Sequence, residues 1–322
     1  MYFKNNNNFL HGINFHHFHD DKNHPAGQGS ISKDEFNNII KFIGRDNILN
    51  ADEFYNRVKE KKLHDKNVCF TFDDGIKSQI DVALPILDNY KIKSFFFVYS
   101  SLFEGNPDLL EVYRFFRLNY FKNVDEFYEA FFKELDDHHI QLFLDKRKNA
   151  IQEVKRKSPY YSINDIKFRQ IRDYYLTKDV YKKTMDKMFV KKKFEAKKYY
   201  SNLFFNKNDL VTLKSLGNTI GLHAHSHPTS FEDLDINQQK YEYQKNQSIL
   251  SKILNIEPKK IKSMSHPCGS YNVKTLETLT QMGVELGFKH LMNIEEEKGM
   301  KKINNSNLEI ARQDHTAILK LI

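Results

Sequence analysis

Continuous apolar runs mark the first strands that can be recognised in this chain. Residues 68–72 form one such run, which leads into Asp73-Asp74-Gly75, and residues 94–99 form a second. Runs of this kind are typical of parallel strands that are buried on both faces. The residues between them, 76–89, have helical spacing, and Pro85 is expected to kink that helix. The pattern predicts a strand–helix–strand unit with parallel strands.

The same alternation continues on both sides of this unit. Ser32 can cap a helix over 32–42, because Glu35 follows three positions later. The pattern also predicts strands at 12–18, 219–223, 261–265, 287–292 and 308–311, and helices at 208–216, 236–254 and 273–282. Strands that alternate with helices predict an α/β fold with a parallel sheet, either open or closed into a barrel.

Residues 101–205 interrupt this alternation. Strand-like runs are absent there, and charged segments with regularly spaced aromatic residues favour helices. We interpret the segment as a large helical insertion within a single catalytic domain spanning 1–322. An insertion that follows a strand is expected beside the strand ends, where it could set substrate selectivity.

Composition excludes several classes of protein. The formal net charge is +8, and the basic patches at 146–148 and 191–193 are interpreted as solvated helix faces, with attraction to an anionic partner as the alternative. No nucleic-acid-binding motif is present, so we expect no nucleic-acid partner.

Signals for secretion or membrane insertion are also missing. No stretch approaches 18 apolar residues, and residues 1–15 lack the apolar core of a signal peptide. The two cysteines, Cys69 and Cys268, cannot form a disulfide framework. We expect a cytoplasmic protein without a transmembrane segment, and the sequence leaves its oligomeric state open.

Polar residues that could carry chemistry follow three of the predicted strands. Adjacent carboxylates such as Asp73 and Asp74 point in different directions at a strand end, so they can take different roles. His223 and His227 lie four apart at the end of another strand, with His225 between them. Paired imidazoles and a carboxylate are a common donor set for zinc and related ions.

A turn follows the third of these strands, and its glycine and proline suit the wall of a groove. It contains Pro267, Gly269 and Tyr271, and its backbone amides are candidates for stabilising a developing oxyanion.

Together these stretches resemble the polysaccharide deacetylase family, also called the NodB-homology or carbohydrate esterase family 4. The first motif is similar to residues 71–75, the second to 221–228 and the third to 266–269. The family usually has Asn and Thr at the positions of Leu222 and Ala224, and an aromatic residue at that of Cys268. The resemblance covers about 10–100 and 205–315.

The resemblance implies a distorted (β/α) barrel and a metal-dependent reaction. It assigns Asp73 as the general base and Asp74, His223 and His227 as ligands of one divalent ion, with Zn²⁺ the simplest choice. The implied reaction removes the N-acetyl group of a sugar, which could be carried on a nucleotide or a lipid, in the synthesis of surface polysaccharide or another glycan. Arg312 resembles a C-terminal arginine of many members, for which two roles are open: it orients a carboxylate of the site, or it forms only an ion pair at the end of the barrel.

The general acid is less directly indicated. Many members take it from a C-terminal Leu-x-His, which this chain does not have. Phe15-His16 resembles the strand ending of poly-N-acetylglucosamine deacetylases, which implies His16 as the acid. His17 and His19 are the alternatives, followed by His315 and His266.

Two other functions fit the same motifs. The same site could hydrolyse an O-acetyl ester of a carbohydrate, and a relative that has lost activity could bind glycans without a metal. An inactive glycan-binding protein would not need the base and the three metal ligands together. The presence of all four residues, Asp73, Asp74, His223 and His227, therefore argues against this alternative.

Overall fold

A computed structural model describes residues 11–20, 22–63, 66–135, 139–157, 162–290 and 306–322. The chain divides into two compact units, one formed by residues 1–108 and 201–322 and the other by residues 109–200.

The first unit is built on strands and the helices that connect them. Its strands are β1 His11–Phe15, β2 His17–Phe18, β3 Ser30–Ile31, β4 Val68–Asp73, β5 Phe95–Val98, β6 Thr219–Leu222, β7 Ser263–Ser265, β8 Leu286–Phe288 and β9 Ala311–Asp314. Its helices are α1 Lys33–Ile43, α2 Ala51–Lys59, α3 Leu84–Asn89, α11 Lys207–Ser215, α12 Ile236–Leu254, α13 Val273–Gln281 and α14 His315–Leu319.

Seven of these strands form one parallel sheet in the order β8-β7-β6-β5-β4-β1-β9. A parallel bridge between Phe288 and Ile310 brings the two edges of the sheet together, so the sheet is nearly closed. The predicted distorted (β/α) barrel is therefore confirmed. Because all seven strands are parallel, their carboxyl ends meet at one end of the barrel, where such folds place their active sites.

The barrel is held by buried aromatic and aliphatic side chains. Every residue of β4 is buried, as the continuous apolar run predicts. Phe72 stacks on Phe96 of the neighbouring strand with ring centroids 4.7 Å apart. Full burial of one such side chain contributes about 1.5–3 kcal/mol. The core thereby fixes the strand ends from which the polar residues emerge.

The predicted capping box at the start of α1 is confirmed. The Ser32 hydroxyl accepts from the Glu35 N–H at 3.2 Å, and the Glu35 carboxylate accepts from the Ser32 N–H at 2.7 Å. The helix expected over 76–89 is not uniform: a wide π-helical turn at Gln79–Ala83 precedes α3, and Pro85 lies in the first turn of α3. Proline has no N–H to donate to the preceding turn, which favours such a local widening.

Three predicted strand boundaries were wrong. The strand expected over 12–18 breaks at His16: the pairing of β1 with β4 ends at Phe15 and Phe72, and β2 pairs with β3 instead. The strand expected over 287–292 ends at Phe288, and its last two residues lie outside the described part of the chain. The final strand pairs at Ala311–Asp314, later than the expected 308–311.

The second unit is helical. It contains α4 Leu109–Asn119, α5 Val124–Leu135, α6 His139–Lys146, α7 Lys148–Lys157, α8 Ile163–Tyr174 and α9 Lys178–Lys191, while the short helix α10, Tyr200–Leu203, crosses the boundary. Its core is rich in aromatic rings, with Phe116 packed edge-on against Phe189 at 4.7 Å. The Tyr128 hydroxyl donates to the buried Asp165 carboxylate. The role of this segment in substrate selectivity stays a prediction.

Candidate active site

The two adjacent aspartates separate because the backbone turns between them. Asp73 is the last residue of β4, whereas Asp74 and Gly75 both have positive φ, at 75° and 66°. A Cβ on Gly75 would also lie 2.9 Å from the Val98 side chain. Glycine is therefore required here both by the positive φ and by the close approach of Val98. The Asp74 N–H donates to the Phe97 carbonyl at 3.1 Å, which fixes the turn.

Asp73 is held by a buried arginine. The two terminal nitrogens of Arg312 donate to the two carboxylate oxygens at 2.8 and 2.7 Å, and the Ser265 hydroxyl donates to Asp73 at 3.1 Å. Burial by itself raises the pKa of this carboxyl, but Arg312 and then His223 outweigh it and lower the pKa to about 2. Asp73 is therefore an ionised carboxylate at neutral pH.

Asp74, His223 and His227 converge on one point. The Nε2 atoms of His223 and His227 lie 3.1 and 3.3 Å from Asp74 Oδ1. Three donor atoms, one from each residue, lie within 4.8 Å of one another. A tetrahedral zinc ion with bonds of about 2.1 Å keeps its donors about 3.4 Å apart, so the three residues fit a divalent ion.

The far nitrogen of each imidazole is also engaged. His223 Nδ1 lies 2.8 Å from the Ser265 carbonyl oxygen, and His227 Nδ1 lies 2.8 Å from Asp108 Oδ2. Since both partners are acceptors, each Nδ1 carries a proton, and each Nε2 would be available to an ion shared with Asp74. Asp108 was not recognised in the sequence, where its only signal is a carboxylate in the loop after β5.

The loop carrying the two histidines is shaped by left-handed backbone and by α12. Ala224 and His227 have φ of 60° and 55°. The Glu242 carboxylate accepts from the N–H groups of His225 and Ser226 at 2.8 and 2.7 Å. Non-glycine residues with positive φ cost about 1–3 kcal/mol each and persist where the surroundings enforce them. The loop is thus built to aim His223 and His227 at one point.

His225 points elsewhere, although it lies between these two residues in the sequence. Its Nδ1 is 2.9 Å from the Ser100 hydroxyl, and its Nε2 is 3.5 Å from the Glu104 carboxylate. Its contribution is to hold the loop after β5 against the loop after β6.

His16 lies beside both aspartates, at the break between β1 and β2. Its Nε2 is 4.0 Å from Asp73 Oδ2 and 3.9 Å from Asp74 Oδ2. Burial lowers the pKa of this imidazole to about 4, against the raising effects of Asp74 and Asp73. The Gln79 amide, in the π-helical turn, donates to the carbonyls of His16 and Asp73 at 2.9 and 2.6 Å.

The neighbouring histidines have other contacts. The His17 ring stacks on that of His16 with centroids 6.1 Å apart, and His19 Nδ1 lies 3.0 Å from the Ser30 hydroxyl. His315 is buried between the carbonyls of Asn14 and Gly29 at 3.1 Å from each. His16, whose Nε2 lies within 4.0 Å of both aspartates, is therefore the strongest candidate for the general acid among them.

The turn after β7 forms part of the framework. Tyr271 is fully buried, stacks on His266 at 4.0 Å and donates to Glu309 at 3.1 Å. Pro267 is buried and starts a short helical turn with Gly269. The amides of His266, Gly269 and Ser270 donate to the carbonyls of Phe288, His266 and Pro267, so these three amides are not free for an oxyanion.

His290 also lies near the site, although it belongs to none of the motifs recognised in the sequence. It follows β8 by two residues, and its ring lies 6.0 Å from that of His16. A Cβ on Gly269 would lie 2.8 Å from the His290 Cβ, so this glycine makes room for His290. Recognising that β8 ends here would have placed His290 at the strand ends.

The chain belongs to the polysaccharide deacetylase family. The family model described as polysaccharide deacetylase matches residues 60–114 and 179–287, which are just over half of the chain. The predicted family is thereby confirmed, and with it the class of protein, a hydrolase that acts on acetyl groups of carbohydrates. No protein with a curated description matches the chain.

Several solved structures share the fold. The deacetylase PplD of Streptococcus pyogenes, solved in complex with acetate, matches with a TM-score of 0.54 at 16% identity, covering 97% of this chain and 96% of that chain. A de-N-acetylase from Aggregatibacter actinomycetemcomitans matches with a TM-score of 0.53 at 14% identity, covering 97% and 99%. IcaB from Ammonifex degensii matches with a TM-score of 0.51 at 13% identity, covering 97% and 98%.

Proposed function

We propose that this chain is a metal-dependent carbohydrate de-N-acetylase. The observation that carries the proposal is the meeting of Asp74, His223 and His227 beside an ionised Asp73. The first three residues would hold one divalent ion, most simply Zn²⁺, because one carboxylate and two imidazoles leave positions open for water and substrate.

A divalent ion in this position would polarise the acetyl carbonyl and lower the pKa of the attacking water. Asp73 would accept the proton of that water. The paired hydrogen bonds from Arg312 hold the Asp73 carboxylate in one orientation and keep it ionised. Asp73 is thus a base whose geometry is set before substrate binds.

His16 would protonate the leaving nitrogen. Its Nε2 lies 4.0 Å from Asp73 Oδ2 and 3.9 Å from Asp74 Oδ2, so it faces the place where the substrate would bind. The two carboxylates raise the pKa of this imidazole, but burial outweighs them and lowers the pKa to about 4. Gln79 fixes the backbone of His16 relative to Asp73. An amine leaves only as the protonated species, so a positioned acid matters more for an amide than for an ester.

This requirement favours N-acetyl over O-acetyl hydrolysis. The fold neighbour from Aggregatibacter actinomycetemcomitans is itself described as a de-N-acetylase, which supports the same choice. Hydrolysis of a carbohydrate O-acetyl ester is the second candidate, since it needs the same base. The four intact motif residues argue against an inactive glycan-binding protein.

The biological setting follows from the proposed substrate. We infer that the substrate is an N-acetylated sugar, either alone or carried on a nucleotide or lipid. The reaction would belong to the synthesis of surface polysaccharide or another glycan. We also infer that the chain is one catalytic domain that includes the helical insertion. No helix among the described residues is long and apolar enough to cross a membrane. The cytoplasmic location stays a prediction.

Acetate release from a panel of substrates tests the proposal. The panel contains N-acetylated oligosaccharides, N-acetylated sugar nucleotides and O-acetylated sugars, and mass spectrometry follows the loss of acetyl groups. We expect release from an N-acetylated member, its loss after chelation and its return with Zn²⁺. His223→Ala should lose bound metal and activity, whereas His225→Gln should keep the metal.

Two results would contradict the proposal. Full activity and metal content in His223→Ala would remove the ligand assignment. Release from esters alone would establish the O-acetyl alternative.

A further inference from the structure

Asp108 and His227 form a contact that no motif of the family assigns. Asp108 Oδ2 lies 2.8 Å from His227 Nδ1, and the two side chains are 16% and 8% exposed. Both residues belong to the first unit. The pair is well shielded from solvent, which strengthens a hydrogen bond to a charged acceptor.

Asp108 is itself held in place. Its N–H donates to the Tyr99 hydroxyl at 2.9 Å. The Tyr99 ring is buried and lies 5.6 Å from the His227 ring. The loop that carries Asp108 is fastened to the histidine loop by the Ser101 N–H, which donates to the His225 carbonyl at 2.8 Å.

The two imidazoles of the site are therefore supported differently. The partner of His223 is a backbone carbonyl, which no substitution of a side chain removes. The partner of His227 is a carboxylate on a separate loop, and His227 also has a positive φ of 55°. Its orientation thus depends on a side chain that can be exchanged.

We propose that Asp108 is a positioning residue of the metal centre, which holds the proton of His227 on Nδ1 and aims Nε2 at the ion. This inference rests on the proposed function, because it takes His227 as a ligand. Partners of this kind orient the ring and raise the basicity of the ligand, and their removal weakens metal binding about 10–100-fold. Asp108 supplies no atom to the ion or the substrate.

Metal affinity measured without substrate tests the inference. The full-length chain is stripped of metal and titrated with Zn²⁺ against a chromophoric chelator. Asp108→Ala should bind Zn²⁺ about 10–100-fold more weakly, and Asp108→Asn about tenfold, because the amide oxygen still accepts from Nδ1 but carries no charge. The Co²⁺-loaded variants should show a changed visible absorption spectrum.

Glu104 provides the matched control. It is a carboxylate on the same loop, but it contacts His225 at 3.5 Å and Lys245 at 2.9 Å instead of a ligand. Glu104→Ala should bind Zn²⁺ as the unaltered protein does, with an unchanged Co²⁺ spectrum.

The outcomes separate this inference from the proposed function. If Asp108→Asn binds Zn²⁺ like the unaltered protein while His227→Ala does not, the inference is wrong and the ligand assignment stands. If His227→Ala also binds normally, the ligand assignment and the proposed function fail together. Asp108→Asn decides the matter even where Asp108→Ala does not fold, because it preserves the size of the side chain.

Discussion

The two ends of the barrel both carry networks of carboxylates and cations, but the networks differ in burial. At the carboxyl ends of the strands, Asp73 and Arg312 are almost completely buried and joined by two hydrogen bonds. At the amino ends, Glu285 accepts from Tyr55 at 2.5 Å, from Lys59 at 2.8 Å and from Lys262, and its side chain is 33% exposed.

Burial decides what each network can do. Desolvating a charged pair costs several kcal/mol per ion, and the attraction repays this only with good geometry. An exposed pair costs little and contributes about 0–1 kcal/mol. The buried network therefore has a cost that stability alone does not explain, which fits a role in orienting Asp73, whereas the exposed network suits a surface.

The presence of a cavity does not by itself locate the site. A cavity of about 780 Å³ opens at the amino ends, where its lining includes Tyr55, Lys59 and Glu285. None of the residues proposed for catalysis lines it. The chemistry of the side chains locates the site.

Replacing the buried carboxylate should have the largest effect on activity. Asp73→Asn should retain bound metal and lose activity about 10²–10⁴-fold, because an amide cannot accept the proton of water. Acetate release and metal analysis of the same preparation check this. Glu285→Gln makes the same chemical change at the other end and should retain activity. A fully active Asp73→Asn would mean that another group is the base.

Replacing Arg312, the partner of Asp73 in the buried pair, should lower the stability of the protein. Arg312→Met leaves Asp73 buried without its main partner, so the free energy of unfolding should fall by about 3–5 kcal/mol, as measured in urea. The double variant Arg312→Met/Asp73→Asn should regain part of this loss. If Arg312→Met alone is as stable as the unaltered protein, the Asp73–Arg312 pair does not contribute to the free energy of unfolding.

Removing the proposed acid should have a smaller effect on turnover. His16→Ala should keep the metal and lose about 10²-fold in activity. His17→Ala is the matched control, because it removes the neighbouring imidazole, whose ring stacks on that of His16 with centroids 6.1 Å apart. Activity that survives in His16→Ala and disappears in His17→Ala or His290→Ala would move the role of the acid to that residue.

Replacing Glu285 in the exposed network should have the smallest effect. The effect is on the free energy of unfolding, and its source can be tested by lowering the pH. Hydrogen bonds from Lys262, Lys59 and Tyr55 lower the pKa of Glu285 from 4.5 to about 2. A lowered carboxyl pKa contributes stability above the unfolded value, and this contribution is lost as the pH falls through the folded value. Glu285→Gln should therefore be less stable by under about 1 kcal/mol near pH 6, because solvent screens the network.

Unfolding curves from pH 6 to pH 2 check the acid dependence. The difference between Glu285→Gln and the unaltered protein should shrink as the pH falls. A difference that stays constant over this range would show that the ionised carboxylate is not its source.

Patterns within single elements were predictable from the sequence. The buried run before Asp73, the capping box of Ser32 and the spacing of His223 and His227 depend on residues a few positions apart, where helix and strand geometry are regular. The parallel sheet could be inferred from such patterns, whereas the family and its barrel were expected from the resemblance of the motifs, and both are confirmed.

Contacts between distant segments were not predictable in this way. Asp108 lies 119 residues from His227, and no pattern in the sequence links the two. Arg312 lies 239 residues from Asp73, and only the family resemblance indicated a role for it beside a carboxylate. The surroundings of the break at His16 also involve a distant segment, because the Gln79 side chain donates to the carbonyls of His16 and Asp73.

The sequence by itself determined which residue types stand at the ends of the strands, because apolar runs and the polar residues that follow them are properties of neighbouring positions. Only the tertiary structure decided that His225 turns away to Ser100, that Asp108 supports His227 and that His290 faces His16. These choices depend on loop conformations with positive φ at Asp74, Ala224 and His227. Such conformations are unfavourable locally and are held by packing from segments far away in the chain.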